Sequence, residues 1–265
     1  MLTALVLGAV IGLILGLTGA GGGSLAVPAL VFGLGLSIPQ ATPIALLAVA
    51  GSALLGTVEG FRRRLVRYRA ASLMALTGMA ATPLGVLVAH RLPERILLGL
   101  SATVLGIVAA RALGWGQVDD APPGPVACQL DPTTGQLRWD GGVAAVLAAI
   151  GAATGLLSGL LGVGGGFVIV PALRRVSDIP LAGIVATSLM VMCIVSLAAL
   201  VAAVAHGATL SVTVAGPFVG ATALGMVAGR LAARRVASHH VHRLFGLVLL
   251  VVALSLLVKA LTSPT

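Results

Sequence analysis

Of the 265 residues, 58% are hydrophobic and only 9% are charged. A soluble globular domain has roughly 45–50% apolar and about 25% charged residues, so this composition excludes an ordinary soluble fold and predicts an all-α polytopic membrane protein in the lipid bilayer. The net charge of +9 would suggest a nucleic-acid partner in a soluble chain. Here the basic residues lie between apolar segments, as topology signals do, and we expect no nucleic-acid partner.

The first apolar run covers residues 2–36, and its centre is rich in glycine. As one helix it would be about 52 Å long, whereas the hydrocarbon core of a bilayer is about 30 Å thick. Gly19 and Gly21–Gly23 lie within five residues of one another, and glycine disfavours a helix interior. We therefore predict a broken-helix hairpin, with a full span over about 3–18 and a shorter returning helix over about 24–35.

Three predicted spans follow, over about 41–61, 70–90 and 95–114. Residues 115–140 form the one long polar stretch, and their prolines indicate a linker. Glu59 is the only acidic residue inside a predicted span, one turn before a cluster of arginines. We interpret it as a paired residue at the membrane interface, with a proton-coupling role as the alternative.

The second half repeats the plan of the first. The segment Gly155–Leu173 reproduces every glycine and the proline of Gly12–Leu30 at a constant offset of 143 residues. The predicted parts are a first transmembrane repeat (1–114), the linker (115–140) and a second transmembrane repeat (141–265). Each repeat contains one broken-helix hairpin and three transmembrane helices, and the second has its broken run over 141–173 and spans over 181–205, 208–231 and 243–262.

The distribution of arginine and lysine predicts that the two repeats are inverted. If each broken run crossed the membrane once, the sixteen basic residues would divide equally between the two sides. If each run is a hairpin, thirteen of the sixteen fall on one side. The excess of basic residues in cytoplasmic loops favours the second arrangement. It places the linker in the cytoplasm and both termini outside.

The glycine breaks are the predicted substrate site. A broken helix is tolerated in a membrane only inside protein or along a cavity, and the returning helices begin with unpaired amides at the positive end of the helix dipole. Two such N-termini meeting near the midplane would bind an anion. The alternative is that the glycines only permit close helix packing, which is our interpretation of the four-residue spacing in Gly8, Gly12 and Gly16 and in Gly151, Gly155 and Gly159.

Hydroxyl groups near the breaks are further candidate donors. Thr42 and Thr187-Ser188 recur in the two halves and are favoured, whereas the other serines and threonines, including Ser52, Ser158 and Ser196, are assigned to the carbonyls of their own helices. The predicted substrate-binding residues are Thr18, Gly19, Gly21, Gly22, Gly23, Ser24, Thr42, Gly162, Gly164, Gly165, Gly166, Thr187 and Ser188. We expect Gly22→Val or Gly165→Val to abolish anion binding in a protein that still folds.

Other chemistry has little support in the sequence. His206 is interpreted as a surface histidine. His239, His240 and His242 are spaced like metal ligands but lack a carboxylate or thiol nearby, so we predict neither a metal nor a cofactor. The chain has no recognisable nucleophile–base set or nucleotide loop, and we predict that it is not an enzyme.

The two copies of G-x-x-G-x-G-G-G-x(4)-P-x-L, each followed by an Ala-Thr span start, resemble the sulfite exporter TauE/SafE family of bacterial membrane permeases. The resemblance implies export of sulfur-containing anions such as sulfite or an organosulfonate across the inner membrane. The family's Thr-Ser pair matches Thr187-Ser188, whereas the first half reads Thr42-Pro43. Alternatives are an anion channel with a fixed pore, a permease for another small organic anion, and an accessory subunit without a substrate. A coupling proton and the oligomeric state stay open.

Overall fold

A computed structural model describes residues 1–19, 22–114, 128, 139–233 and 238–262, with the backbone alone for residues 238–242. The predicted site residue Gly21, almost all of the linker and the side chains of His239, His240 and His242 lie outside the described part. The helices are α1 (Leu2–Thr18), α2 (Ala26–Gly33), α3 (Ile38–Arg62), α4 (Tyr68–Arg91), α5 (Glu94–Ala112), α6 (Gly141–Leu161), α7 (Gly166–Val176), α8 (Leu181–Ala205), α9 (Val212–Ala233) and α10 (Ser238–Thr262), and a 3-10 turn (Gly22–Leu25) precedes α2.

Among the described residues, seven helices are long and apolar enough to cross a membrane: α3, α4, α5, α6, α8, α9 and α10. Large apolar side chains cover the outside of the bundle; Leu76, Leu224 and Val251 are each at least 60% exposed. A soluble protein would bury such residues, whereas a bilayer solvates them. The prediction of an all-α polytopic membrane protein is confirmed.

Both broken runs form hairpins at the predicted glycines. Gly19 follows α1 with a φ of +82°, and a Cβ atom built on Gly33, the last residue of α2, would collide with Leu7 of α1. The returning helix therefore lies back along α1. In the second run, Gly162, Gly164 and Gly165 all have positive φ before α7 begins, a conformation that only glycine adopts without strain.

The glycines at four-residue spacing allow helices of opposite halves to pack closely. Helix α1 packs on α9, and α6 packs on α4. A Cβ atom on Gly12 would overlap the backbone of Thr222, and one on Gly155 would overlap the backbone of Gly78. The interpretation of these glycines as packing residues is confirmed. Because Gly12 and Gly155 are equivalent by the offset of 143 residues, Thr222 and Gly78 hold equivalent positions in the two halves.

Helices at equivalent places in the two halves run antiparallel. Along the α3–α8 contact, Gly56 lies next to Leu189 and Gly60 next to Ala186. In the α5–α10 pair, Leu113 after the end of α5 contacts Gly246 near the start of α10. A parallel repeat would align such partners in the same direction, so this pairing is the one that inverted halves require. The orientation of the chain in a membrane stays a prediction.

Within the linker the structure describes Cys128 and the last two residues, Trp139 and Asp140, and Cys128 is buried. Its amide donates a hydrogen bond to the carbonyl oxygen of Val176 at the end of α7, over 2.8 Å. Burial raises the pKa of the Cys128 thiol, which disfavours the reactive thiolate.

Candidate functional site at two helix breaks

The two breaks meet at the middle of the long helices α3 and α8. A Cβ atom built on Gly23 would lie 3.2 Å from Cγ2 of Val49 and 3.3 Å from the carbonyl oxygen of Val163, which belongs to the other break. One built on Gly164 would lie 2.6 Å from Cγ1 of the same Val49. Val49 is near the midpoint of α3, and Met192, also close to Gly23, is near the midpoint of α8. The breaks therefore face each other at mid-depth of the bundle.

The second break presents a regular helix N-terminus. The amides of Val168 and Ile169 donate to the carbonyl oxygen of Gly165, over 3.0 and 3.4 Å. The amides of Gly166 and Phe167, the first two residues of α7, have no acceptor within the helix, and an anion is favoured at such a helix start. The first break differs, because Gly22 and Gly23 lie in a 3-10 turn that precedes α2.

Among the described residues, three fully buried serine hydroxyls have no hydrogen-bond partner: those of Ser52, Ser158 and Ser196. The Ser196 oxygen lies 3.1 Å from the Cβ position of Gly164. Ser158 is one turn before Gly162, and Ser52 is one turn after Val49. A buried unpaired hydroxyl costs about 1–3 kcal/mol, so a polar occupant beside these groups would recover that energy. The assignment of these hydroxyls to carbonyls of their own helices is wrong.

The favoured hydroxyls are instead bonded to backbone. Thr18, Thr42 and Ser188 donate to carbonyl oxygens four residues earlier, over 2.7–2.9 Å. The Thr187 oxygen accepts from the amide of Arg67, over 3.1 Å. Thr187 also lies nine residues from Ser196, about 13 Å along α8. Thr42 contacts the second break, because a Cβ atom on Gly162 would lie 2.6 Å from its methyl group.

Gly22 and Gly165 have roles in packing that the sequence does not reveal. A Cβ atom on Gly22 would overlap the backbone of Leu15, and one on Gly165 would overlap the side chain of Thr154 at a φ of +69°. Backbone atoms cannot move aside cheaply, so valine at either position should disturb folding. The expectation that these variants fold normally is contradicted by the geometry. Ser24 is buried.

Two open cavities lead from opposite ends of α3 toward the breaks. The Glu59 vestibule, about 440 Å³, has Gly19, Glu59, Arg63, Val185 and Arg230 in its wall. The His90 vestibule, about 250 Å³, has Thr42, Val86, His90, Gly159 and His206 in its wall.

The vestibules are lined at equivalent positions of the two halves. Thr42 and Val185 are 143 residues apart, and so are Arg63 and His206. Thr42 therefore corresponds in space to Val185 and not to Thr187. From Thr42 to Glu59 the distance along α3 is about 25 Å, with the breaks between.

Ion pairs cross the Glu59 vestibule. The carboxylate of Glu59 binds Nη1 of Arg230 over 2.6 Å and Nη2 of Arg63 over 2.7 Å. Arg230 also donates to the carbonyl oxygen of Gly56, over 3.2 Å. The prediction that Glu59 is a paired residue is confirmed, and α9 supplies the partner that joins it to the other half.

Residues 4–256 match the sequence profile described as "Sulfite exporter TauE/SafE". The chain belongs to the sulfite exporter TauE/SafE family. The matched residues include both breaks and the residues that line both vestibules. Two proteins of Xylella fastidiosa, from strains 9a5c and Temecula1, are 29% and 28% identical to it over 253 residues, which are 93% of this chain and 91% of each relative. Both are described as probable membrane transporter proteins. No solved structure matches the chain significantly. This TauE/SafE protein is therefore a membrane transporter.

Proposed function

We propose that this protein is a secondary transporter that exports a small sulfur-containing oxyanion or organosulfonate. The observation that carries the proposal is the meeting of two helix breaks around Val49, with the buried, unpartnered hydroxyl of Ser196 against Gly164. The family description names sulfite, which supports the choice of a sulfur anion.

The chemistry of the junction suits an oxyanion. Sulfite and sulfonate oxygens only accept hydrogen bonds, and the groups available are donors: the first amides of α7 and the serine hydroxyls. The start of α7 adds the positive end of a helix dipole. Such a site binds an anion without a buried arginine or lysine, and an uncharged protein site releases its ligand more readily than a fixed cation would.

Alternating access is the proposed mode of transport. Val49 and Met192, which lie between the vestibules at the level of the breaks, are at most 1% exposed. This packing supports a carrier that opens to one side at a time over an anion channel with a fixed pore. The antiparallel pairing of equivalent helices supports a motion in which the halves exchange their two vestibules.

The excess of basic residues supports an orientation in the bacterial inner membrane. The Glu59 vestibule, with Arg63, Arg174 and Arg230 in its wall, would face the cytoplasm. The His90 vestibule and both termini would then lie outside. An exporter would load its anion through the Glu59 vestibule and release it past His90 and His206.

A thermal-shift screen of the purified protein against sulfite, thiosulfate, sulfate, sulfoacetate, taurine, chloride and acetate tests the proposal. We expect a saturable rise in Tm with one sulfur anion, because a ligand that binds only the folded state stabilises it. Counterflow in proteoliposomes then separates carrier from channel, since only a carrier is stimulated by substrate on the far side. No response to any sulfur anion, or transport without counterflow, would contradict the proposal.

A further inference from the structure

Two histidines from different helices face each other in the His90 vestibule. His90 lies in the last turn of α4, and His206 immediately follows α8. Their ring centroids are 5.6 Å apart, with an angle of 38° between the ring planes. Both side chains line the cavity whose wall also includes Thr42, which in turn touches Gly162 of the second break. The pair therefore stands on the path from the proposed anion site to one face of the protein.

The hydrogen bonds of the two rings define which nitrogen can take up a proton. Nδ1 of His90 lies 2.9 Å from the carbonyl oxygen of Val86, and Nδ1 of His206 lies 2.9 Å from that of Ala202. A carbonyl oxygen only accepts, so each Nδ1 carries a hydrogen. The atom that changes its protonation is then Nε2 on both rings. Histidine is the side chain that ordinarily gains and loses charge between about pH 5 and 8.

Among the described residues that line the cavity, His90 and His206 are the only ones with ionisable side chains. Arg91, next to His90, and Arg95 of α5 are exposed and lie outside this lining. From the other described elements, the wall receives uncharged residues: Ile38, Pro39, Thr42, Pro43 and Leu46 of α3, Leu97 of α5, and Gly159 and Leu160 of α6. At the edge of the cavity, Glu94 of α5 accepts a hydrogen bond from the amide of Ile38 over 3.4 Å. Two imidazolium rings at this separation repel each other, and an anion between them removes the repulsion.

We propose that His90 and His206 form a proton-linked oxyanion subsite in this vestibule. Each protonated ring donates an Nε2–H hydrogen bond to the same anion, which they hold outside the breaks. Anion binding and proton uptake then strengthen each other by the same factor. The subsite fills at acidic pH and empties as the pH rises and the rings lose their charge. The subsite rests on the proposed function in one respect, because it takes the same class of anion.

Histidine NMR tests the subsite without any measurement of transport. The full-length protein, carrying 13C-labelled histidine, is titrated in detergent from about pH 8 to pH 5 in sulfate or in chloride of equal ionic strength. Sulfate is the probe because its charge does not change over this range. We expect sulfate to raise the titration midpoints of His90 and His206, relative to chloride, by about half a pH unit or more. His90→Gln and His206→Gln assign the two signals.

The same variants supply the decisive comparison. In His90→Gln the response of His206 to sulfate should fall to the level of chloride, and in His206→Gln the response of His90 should do the same. Glutamine can keep the hydrogen bond to the helix carbonyl, and Tm measurements verify that each variant folds. Equal midpoints in sulfate and chloride, or an undiminished response in the single variants, would overturn the subsite.

The outcome is separable from that of the proposed function. If the sulfate response is present but no sulfur anion supports counterflow, the subsite stands and the transport proposal fails. If counterflow is present without a sulfate response of the histidines, transport stands and the subsite fails.

Discussion

At the scale of single residues, the buried hydroxyl of Ser196 carries the most information about a ligand. The hydroxyl of a serine in a membrane helix can donate to the carbonyl oxygen four residues earlier at little cost. Ser188, which lies on α8 as Ser196 does, forms this bond. Ser196 instead leaves its hydroxyl unpaired beside Gly164. An apolar residue would be more stable there unless something polar binds to it. We therefore expect an occupant with hydrogen-bond acceptors beside Ser196.

Ser196→Ala should leave Tm unchanged or slightly raised in the absence of anion, because it removes an unpaired polar group. It should weaken the binding of the sulfur anion that the thermal-shift screen identifies by about ten- to hundred-fold, since a hydrogen bond to a charged group contributes roughly 1.5–3 kcal/mol. Anion-dependent shifts in Tm measure the affinity.

The matched control is Ser255→Ala on α10, which removes a hydroxyl bonded to the carbonyl of Val251. It should not change anion affinity. An unaltered affinity in Ser196→Ala would rule out a direct contact between this hydroxyl and the anion.

The sequence could name the hydroxyls near the breaks but could not rank them. Recurrence favoured Thr42, Thr187 and Ser188, and all three are bonded to backbone groups. Whether a serine hydroxyl donates to a carbonyl oxygen of its own helix depends on the side-chain rotamer and on the groups packed against it. Neither is visible in a one-dimensional pattern.

At the scale of elements, the glycines within the helices divide into those that permit helix contact and those that lie open to the surroundings. Along α1 and α6 they let a neighbouring backbone approach within the space that a methyl group would fill. In a bilayer, where the hydrophobic effect does not drive helices together, such close packing is a main source of stability. Glycines with nothing nearby confer no such contact and only weaken their helix.

Gly12→Ala should therefore lower Tm, because its methyl group would collide with the backbone of Thr222. Gly220→Ala is the matched variant on α9, since no atom lies within 4 Å of its added Cβ. It should leave Tm unchanged or raise it, because alanine is more favourable than glycine within a helix by up to about 1 kcal/mol. Thermal unfolding of both variants in one detergent makes the comparison. Equal effects of the two substitutions would contradict the α1–α9 packing.

The two arginines that bind Glu59 should differ in importance. Arg230 joins α9 to α3, bonds Gly56 as well, and has a side chain only 20% exposed. Arg63 forms an i,i+4 pair within α3 and is 49% exposed, and such exposed pairs contribute about 0.3–0.5 kcal/mol. We expect Arg230→Met to lower Tm clearly more than Arg63→Met. Measurement at low and high salt separates them further, because salt screens the exposed pair more strongly than the partly buried one. The reverse order would contradict the described geometry.

At the scale of the whole molecule, the sequence predicts the elements well and their partners poorly. The constant offset between the glycine motifs and the length of the apolar runs predict both hairpins, including the breaks at Gly19 and Gly162. The packing of α1 on α9 and of α6 on α4 crosses between the halves, and no local pattern encodes which helix a glycine face meets. Matching by residue type also paired Thr42 with Thr187, whereas in the structure Thr42 corresponds to Val185.

This correspondence allows a direct test of inversion. Thr42 and Val185 hold equivalent, half-buried positions in the walls of the two vestibules. In a background with Cys128→Ser and Cys193→Ser, Thr42→Cys and Val185→Cys should react with a membrane-impermeant maleimide from opposite faces of the membrane. Ala48→Cys, at a fully buried position of α3, should react from neither face.

Alternating access adds a second expectation for the same two cysteines. An anion that stabilises one orientation of the carrier should raise the labelling rate at one position and lower it at the other, because opening one vestibule closes its equivalent. A fixed pore would instead let the anion protect both positions or neither. Labelling of both cysteines from a single face would exclude inverted halves. Opposite faces with parallel changes in rate would retain the inverted fold and favour the channel.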